Sequence, residues 1–264
     1  MVIFLLGMAV TVSSCSRNYS KEEIDKKFAP ITSKYGIEIR YHVDEKFPPM
    51  MVTGQRAKID KLVPIRHSVL VRYPSILQKA LQKYPEHVIR DSIDAICFAS
   101  VFENKGITFS GTYGYFDWAV YLIDDGWKND AFAENTFHHE FSSILLSQKG
   151  FYINPWTEHN PKDFKYLYET AKNNYDVKTT GKGTISDYND GFITDYGRTT
   201  FENDFNEYSA MIFTNPKEFK KIMDQYSRVR SKFKIWLDFY QKIDPVFTEA
   251  YFFGDAPFKR AAKQ

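Results

Sequence analysis

The stretch on which the interpretation of this chain depends is Phe137-His138-His139-Glu140-Phe141-Ser142-Ser143-Ile144-Leu145-Leu146. It resembles an H-E-x-x-H motif, in which two histidines one helical turn apart bind Zn²⁺ and the glutamate acts on the metal-bound water. His139 and Glu140 match the first two positions, but Ser143 stands where the second histidine is required. Because a neutral hydroxyl is a poor Zn²⁺ ligand, the sequence predicts either an altered metal site or a fold that has lost its catalysis.

Two other histidines are candidates for the missing ligand. His138 is adjacent to His139, and neighbouring helix positions point about 100° apart, so both could reach one ion only if the helix were distorted. His159 lies further along, beside Trp156, in a segment predicted to be a loop. The sequence leaves both alternatives open, together with ordinary structural roles for the two residues.

Two further motifs follow at the spacing of a known family. They are Gly191-Phe192-Ile193-Thr194-Asp195-Tyr196 and Glu202-Asn203-Asp204-Phe205-Asn206-Glu207. With residues 136–145, they resemble a family of Bacteroidetes lipoproteins described as zinc-binding metallopeptidases or substrate-import-associated zinc metallohydrolases. That family has, in the same order, an H-E-F-x-H helix, a G-F-V-x-x-Y segment and an E-D-F-A-E helix. The resemblance covers the N-terminus and residues 95–250.

The resemblance implies a role for each matching residue. His139 would be the first zinc ligand, Glu140 the general base and Glu207 a carboxylate ligand from a later helix. Ser143 would occupy the second ligand position, and Tyr196 would stabilise the oxyanion. The implied cofactor is Zn²⁺ in a weakened site, and the implied substrate is a peptide or protein.

The hydrophobic pattern predicts an α+β fold, and the resemblance implies a zincin-like fold of the gluzincin type. Alternating or continuous apolar runs predict strands over residues 37–43, 96–102, 106–110 and 118–123. Helical spacing predicts helices over residues 73–84, 130–147, 201–213 and 217–243, with a long loop over 154–196 that contains one short helix near 162–173. The strand over 118–123 is expected to be the sheet edge that lines the substrate cleft.

The N-terminus predicts export and lipidation. Residues 2–12 form an uncharged apolar run that is too short to span a bilayer. Its end overlaps Thr11-Val12-Ser13-Ser14-Cys15, which resembles a lipobox. We therefore predict a signal peptide over residues 1–14, lipidation at Cys15, a tether over 15–30 and one domain over 31–264. Ser16 after the cysteine favours the outer membrane. A secreted protein or a buried N-terminal segment is the alternative, because no basic residue precedes the apolar run. Cys97 is expected to be a buried thiol.

Composition narrows the function classes. A net charge of +2, without a long run of one sign, argues against a nucleic-acid partner. The leading prediction is a lipid-anchored, zinc-dependent metallohydrolase, a peptidase working with components of an outer-membrane nutrient-import system. The alternative is an inactive lipoprotein of the same fold, acting as a binding or accessory module. A glycan-binding lipoprotein, suggested by the 17% aromatic content, is a third hypothesis.

Overall fold

The fold begins with a helix that packs on the domain core. A computed structural model describes residues 18–51, 53–171 and 177–258; the predicted signal peptide and Cys15 lie outside these ranges. Helix α1 (Lys21–Tyr35) starts at Ser20, which forms a capping box with Glu23. Its side chains Ile24 and Phe28, one turn apart, are buried in the main core. Residues 21–30, predicted to be tether, therefore belong to the domain.

One mixed sheet forms the centre of the molecule. Its six strands are β1 (Glu38–Arg40), β2 (Lys61–Pro64), β3 (Ala95–Asn104), β4 (Ile107–Thr108), β5 (Gly111–Tyr113) and β6 (Ala119–Ile123). The order is β1-β3-β6-β5, with β1 and β6 parallel to β3, and with β5 antiparallel to β6. Strands β2 and β4 pair antiparallel with β3. The mixed α+β prediction is confirmed.

The edge strand is not the one that the sequence suggested. Strand β6, within the predicted edge at residues 118–123, is paired on both sides and all five of its residues are buried. A fully apolar run is typical of an interior strand, so this pattern was evidence against an edge position. The strand that ends the sheet on the β6 side is β5, which is short and half-buried.

Helices cover the sheet and build the rest of the domain. They are α2 (His67–Leu70), α3 (Tyr73–Leu81), α4 (Glu86–Arg90), α5 (Asp130–Lys149), α6 (Asn154–Thr157), α7 (Leu167–Thr170), α8 (Ile185–Asp190), α9 (Phe201–Thr214), α10 (Pro216–Gln225), α11 (Ser227–Ile243) and α12 (Glu249–Phe253). A 3₁₀ turn spans Tyr196–Arg198. Within the described ranges, no helix combines the length and the apolar character needed to cross a bilayer.

The helix predicted over residues 217–243 is two helices. Tyr226 has an extended backbone (φ −117°, ψ 110°) and separates α10 from α11. The side chain of Arg230 donates to the carbonyls of Met223 and Asp224, at 3.3 and 2.8 Å, and so satisfies acceptors at the end of α10. Neither Gly nor Pro marks this break in the sequence.

The two faces of the sheet pack against different partners. Along β3, Ile96 and Phe98 point into the main core, which the helices share. Cys97 points to the opposite face, where it joins a smaller cluster with Phe47 and Tyr121. Cys97 is fully buried, as predicted.

Candidate functional site

Helix α5 places His139 and Glu140 at the floor of a cleft. Asn129 begins the helix by accepting a hydrogen bond from the amide of Phe132 at 2.8 Å, and its middle is buried between the sheet and α9. The cleft measures about 840 Å³. It is lined by residues 107–111, by His139 and Glu140 of α5, and by residues 179–181 with Tyr196.

His139 and Glu207 meet directly across the two helices. Their atoms Nδ1 and Oε1 are 3.1 Å apart, and both side chains are nearly buried. The second oxygen of Glu207 accepts a hydrogen bond from the hydroxyl of Thr194 at 2.8 Å. Burial lowers the pKa of His139, but the bond to Glu207 and the charge of Glu140 outweigh this and raise the pKa to about 9. Two predicted zinc ligands therefore form an ion pair with each other.

Ser143, the third predicted ligand position, is bonded elsewhere. Its hydroxyl accepts a 2.7 Å hydrogen bond from the side-chain amide of Asn206 on α9, and both residues are buried. One position earlier, the hydroxyls of Ser142 and Ser209 are 2.8 Å apart. We call these two buried contacts between α5 and α9 the polar seam. The polar seam lies beside the His139–Glu207 pair. It engages the hydroxyl of Ser143, which a metal at this position would need as a ligand.

The residues present do not fit a zinc ion held by three protein ligands. Across the described part of the chain, no group of three or more His, Cys, Asp or Glu side chains is arranged to hold a metal. The side chains at the expected place that could bind zinc strongly are His139 and Glu207, and these two are already hydrogen-bonded to each other. A catalytic zinc site normally has three protein ligands and an open position.

Neither alternative histidine replaces the missing ligand. His138 is fully buried on the other side of α5, where its Nδ1 lies 2.8 Å from the hydroxyl of Tyr84. Burial lowers its pKa to about 4, so it is neutral at physiological pH. His159 follows α6 and is not among the residues lining the cleft. Neither His138 nor His159 therefore takes the ligand position that Ser143 occupies.

Glu140 faces the cleft beside the edge strand. Burial raises its pKa to about 7; the neighbouring His139 opposes the rise, and the charge of Glu202 adds to it. A Cβ atom on Gly111 of β5 would lie 2.8 Å from Oε1 of Glu140 and 2.5 Å from Cγ2 of Thr136. Glycine at this position therefore lets the edge strand approach the carboxyl group closely.

The part of the cleft lining at residues 179–181 is held by one aspartate. Oδ2 of Asp195 accepts hydrogen bonds from the backbone and the hydroxyl of Thr180, at 2.6 and 2.8 Å, and Oδ1 accepts from the amide of Gly181 at 2.8 Å. Gly181 has a positive φ of 66°, which glycine adopts without strain. Next to Asp195, Tyr196 reaches the site, with its ring centroid 5.8 Å from that of His139. Burial raises the pKa of Tyr196, which keeps the phenol protonated.

Sequence reasoning missed three contributors to this site. Thr194 bonds Glu207, Asn206 bonds Ser143, and Gly111 gives Glu140 its place against the sheet. Thr194 and Asn206 lie inside the two downstream motifs, so their positions were a usable signal. Gly111 carries no such signal, and only the packing of β5 on α5 gives it a role.

Known proteins provide two comparisons with this chain. Residues 108–252, more than half of the chain, match the model of a family described as "Putative zinc-binding metallo-peptidase". A crystal structure with the same description, from Bacteroides caccae, has a TM-score of 0.53 and 15% identity, and the alignment covers 85% of this chain and 87% of that one. At this identity the likeness concerns the fold. None of the curated proteins matches the chain. The family match over residues 108–252 shows that the chain belongs to the family of putative zinc-binding metallopeptidases.

Proposed function

We propose that this chain is a peptide-binding member of the metallopeptidase family in which the catalytic metal site is lost. We further propose that its fold is zincin-like, of the gluzincin type, with the motif on α5 and a glutamate on α9. The observation that carries the proposal is the hydrogen bond from Asn206 to Ser143, because it occupies the position of the second zinc ligand. This favours the accessory-module alternative over the hydrolase with a weakened site.

The pairing across α5 and α9 is complete without a metal. In the family pattern that the sequence resembles, His and Ala stand where this chain has Ser143 and Asn206. Ser143 on α5 is smaller than histidine, Asn206 on α9 is larger than alanine, and the two side chains are hydrogen-bonded. His139 and Glu207, the remaining ligand pair, neutralise each other at 3.1 Å. A buried charge needs such a partner, and here each supplies the other.

A peptide is the ligand that the cleft suits best. Gly111, the first residue of the edge strand β5, lines the cleft, and an extended peptide can add to a sheet edge through main-chain hydrogen bonds. Aromatic and hydroxyl side chains around the floor offer apolar contact and hydrogen bonds to the rest of the ligand, among them Phe109, Ser110, Phe132, Tyr168 and Tyr196. The cleft volume of about 840 Å³ suits several residues of a peptide.

Zinc-dependent peptide hydrolysis is the second candidate, and one observation favours it. Glu140 lies in the cleft with its pKa raised to about 7, which is suitable for a general base near neutral pH. In this case His139 and Glu207 would have to separate and take up a metal that the polar seam does not help to bind. The two candidates therefore differ in metal content and in the fate of a bound peptide.

Metal content and peptide binding separate these candidates. The purified protein is expected to contain well below one equivalent of zinc, and to bind peptides from a mixed library without cleaving them. A chelator should leave the affinity unchanged. Tyr196→Ala should weaken binding because Tyr196 lines the cleft, whereas Tyr152→Ala, at an exposed tyrosine outside the cleft, should not. Stoichiometric zinc, with cleavage that Glu140→Gln abolishes, would instead establish the hydrolase.

We also propose that Cys15 carries a lipid that anchors the protein at the outer membrane, near components of a nutrient-import system. The support is the Val12-Ser13-Ser14-Cys15 sequence and the family resemblance. Labelling with a fatty acid should mark the wild type, and Cys15→Ala should lose both the label and membrane retention. Cys97→Ala is the matched control and should keep both. Cross-linking in native membranes would then identify the neighbouring components, and an unlabelled wild type would exclude the anchor.

A further inference from the structure

Trp127 is displayed at the tip of a well-fixed loop. The loop joins β6 to α5, and Trp127 is 90% exposed. The fully buried carboxylate of Asp124 accepts hydrogen bonds from the amide of Gly126 at 2.7 Å and from the hydroxyl of Tyr73 at 2.8 Å. Arg66 donates to the carbonyl of Asp125 at 2.7 Å. The loop is therefore held firmly while its large indole ring lies in solvent.

The N-terminal end of the described chain lies close to this loop. The carbonyl of Tyr19 is 2.7 Å from Nδ1 of His67, and the preceding residue, Arg66, bonds the loop at Asp125. Four peptide units join Cys15 to Tyr19, and they reach about 14 Å when fully extended. A lipid on Cys15 would therefore hold this end of the domain within a short distance of the bilayer surface.

We propose that Trp127 inserts into the interfacial layer of the membrane to which the protein is anchored. This inference rests on the lipid anchor proposed above. Tryptophan is enriched at membrane interfaces, because its ring is apolar while its indole N–H can still hydrogen-bond. Lipidated proteins are held more firmly when a second contact joins a single anchor, and Trp127 supplies such a contact.

The surroundings of Trp127 match a lipid headgroup layer. Arg66 and Asp125 are exposed beside it, and Lys128 lies over the ring of Phe132, with its amine 5.4 Å from the ring centroid. Exposed side chains of both signs in and beside this loop, Asp125 and Arg66, suit zwitterionic headgroups. Phe132 also lines the cleft, so contact through Trp127 would place one end of the cleft near the membrane surface.

Fluorescence quenching by brominated lipids tests the proposal directly. The lipidated full-length protein would be reconstituted in vesicles of phosphatidylethanolamine and phosphatidylglycerol containing brominated phosphatidylcholine. Trp156 and Trp236 are fully buried and should contribute little. We expect strong quenching of the wild type, loss of most of that quenching in Trp127→Phe, and unchanged quenching in the matched control Trp118→Phe.

Each other outcome overturns the proposal in a distinguishable way. A lipidated protein that binds the vesicles but is not quenched would keep the anchor and exclude the Trp127 contact. Quenching that persists in Trp127→Phe would place another tryptophan at the membrane. A protein without lipid would exclude the anchor and this inference together, while the peptide-binding function would still stand. If a cleft-bound peptide, but not vesicles, changed the fluorescence of Trp127, the loop would belong to the cleft.

Discussion

The side-chain amide of Asn206 donates a 2.7 Å hydrogen bond to the hydroxyl of Ser143, and the pair connects the motif helix to α9. Both groups are buried, so each would be left unsatisfied without the other. Ser143, at the position where an H-E-x-x-H motif has its second histidine, is therefore part of a two-residue arrangement. Building a metal site here should require a change at both positions.

The double variant Ser143→His with Asn206→Ala should restore zinc binding. An imidazole at position 143 lies one helical turn from His139 on the same face, and Glu207 supplies a third ligand. Ser143→His alone should gain little, because the Asn206 side chain occupies the space that the imidazole needs. Elemental analysis should show zinc near one equivalent in the double variant only. If Ser143→His alone bound zinc fully, Asn206 would be no obstacle.

Gly111→Ala should disturb the cleft floor. The added methyl group would lie 2.5 Å from Cγ2 of Thr136 and 2.8 Å from Oε1 of Glu140, so the strand or the glutamate must move. We expect a loss of about 1–3 kcal/mol in the free energy of unfolding, as for other overpacked sites, together with weaker peptide binding. Gly197→Ala is the control, because a Cβ atom there would meet its nearest neighbour, Cα of Asp204, at an ordinary contact distance of 3.4 Å. Equal behaviour of the two variants in urea titrations and binding assays would contradict the prediction.

Acid should weaken the domain through Glu134. This buried carboxylate on α5 is ion-paired with Lys83 and, at 2.6 Å, with Lys79. Burial by itself raises its pKa, but the neighbouring His138 and the two lysines outweigh this and lower the pKa to about 2, from an ordinary value of 4.5. The stabilisation is therefore complete above pH 4.5 and is lost as the pH falls toward 2.

The size of this effect follows from the shift. The difference in pKa corresponds to about 3 kcal/mol as an upper bound. Glu134→Gln should lower the free energy of unfolding at neutral pH and flatten its dependence between pH 4.5 and 2. Urea titrations of both proteins across this range would measure it, and parallel pH curves would show that Glu134 is not responsible.

Local sequence patterns predicted the helix that carries the motif, but not every contact that it makes. The helix predicted over residues 130–147 is α5 (Asp130–Lys149), which Asn129 caps and which ends at Gly150. The proximity of Glu207 to His139 was implied by the family resemblance and is present at 3.1 Å. Both features follow from signals that are local or already associated with a family.

The rest depends on packing between distant segments. The hydrogen bond between Ser143 and Asn206 joins residues far apart in the chain, and neither residue type indicates from sequence which partner it will bind. The edge position of β5 could not be read from its sequence, since a three-residue strand carries almost no periodicity. The break at Tyr226 lacks Gly or Pro, and the side chain that satisfies the end of α10, Arg230, comes from the next helix.

A buried ion pair fixes α9 and thereby the position of Glu207. Asp204 and Lys232 are both fully buried, 2.6 Å apart, and the same carboxylate oxygen accepts hydrogen bonds from Trp156 at 2.8 Å and Tyr166 at 2.9 Å. Burial raises the pKa of Asp204 and lowers that of Lys232. Each charge is therefore tolerated only because the other is present.

Removing one partner of this pair should be far more damaging than removing both. Asp204→Ala leaves the amine of Lys232 buried without its counter-ion, and should cost about 3–5 kcal/mol in the free energy of unfolding. The double variant Asp204→Leu with Lys232→Met removes both charges and should recover most of that loss. Asp238→Ala is the control, because its pair with Lys242 is exposed and should contribute almost nothing. Urea titrations of the four proteins would decide, and a double variant as unstable as Asp204→Ala would mean that the hydrogen bonds of Asp204, and not its charge, hold α9 in place.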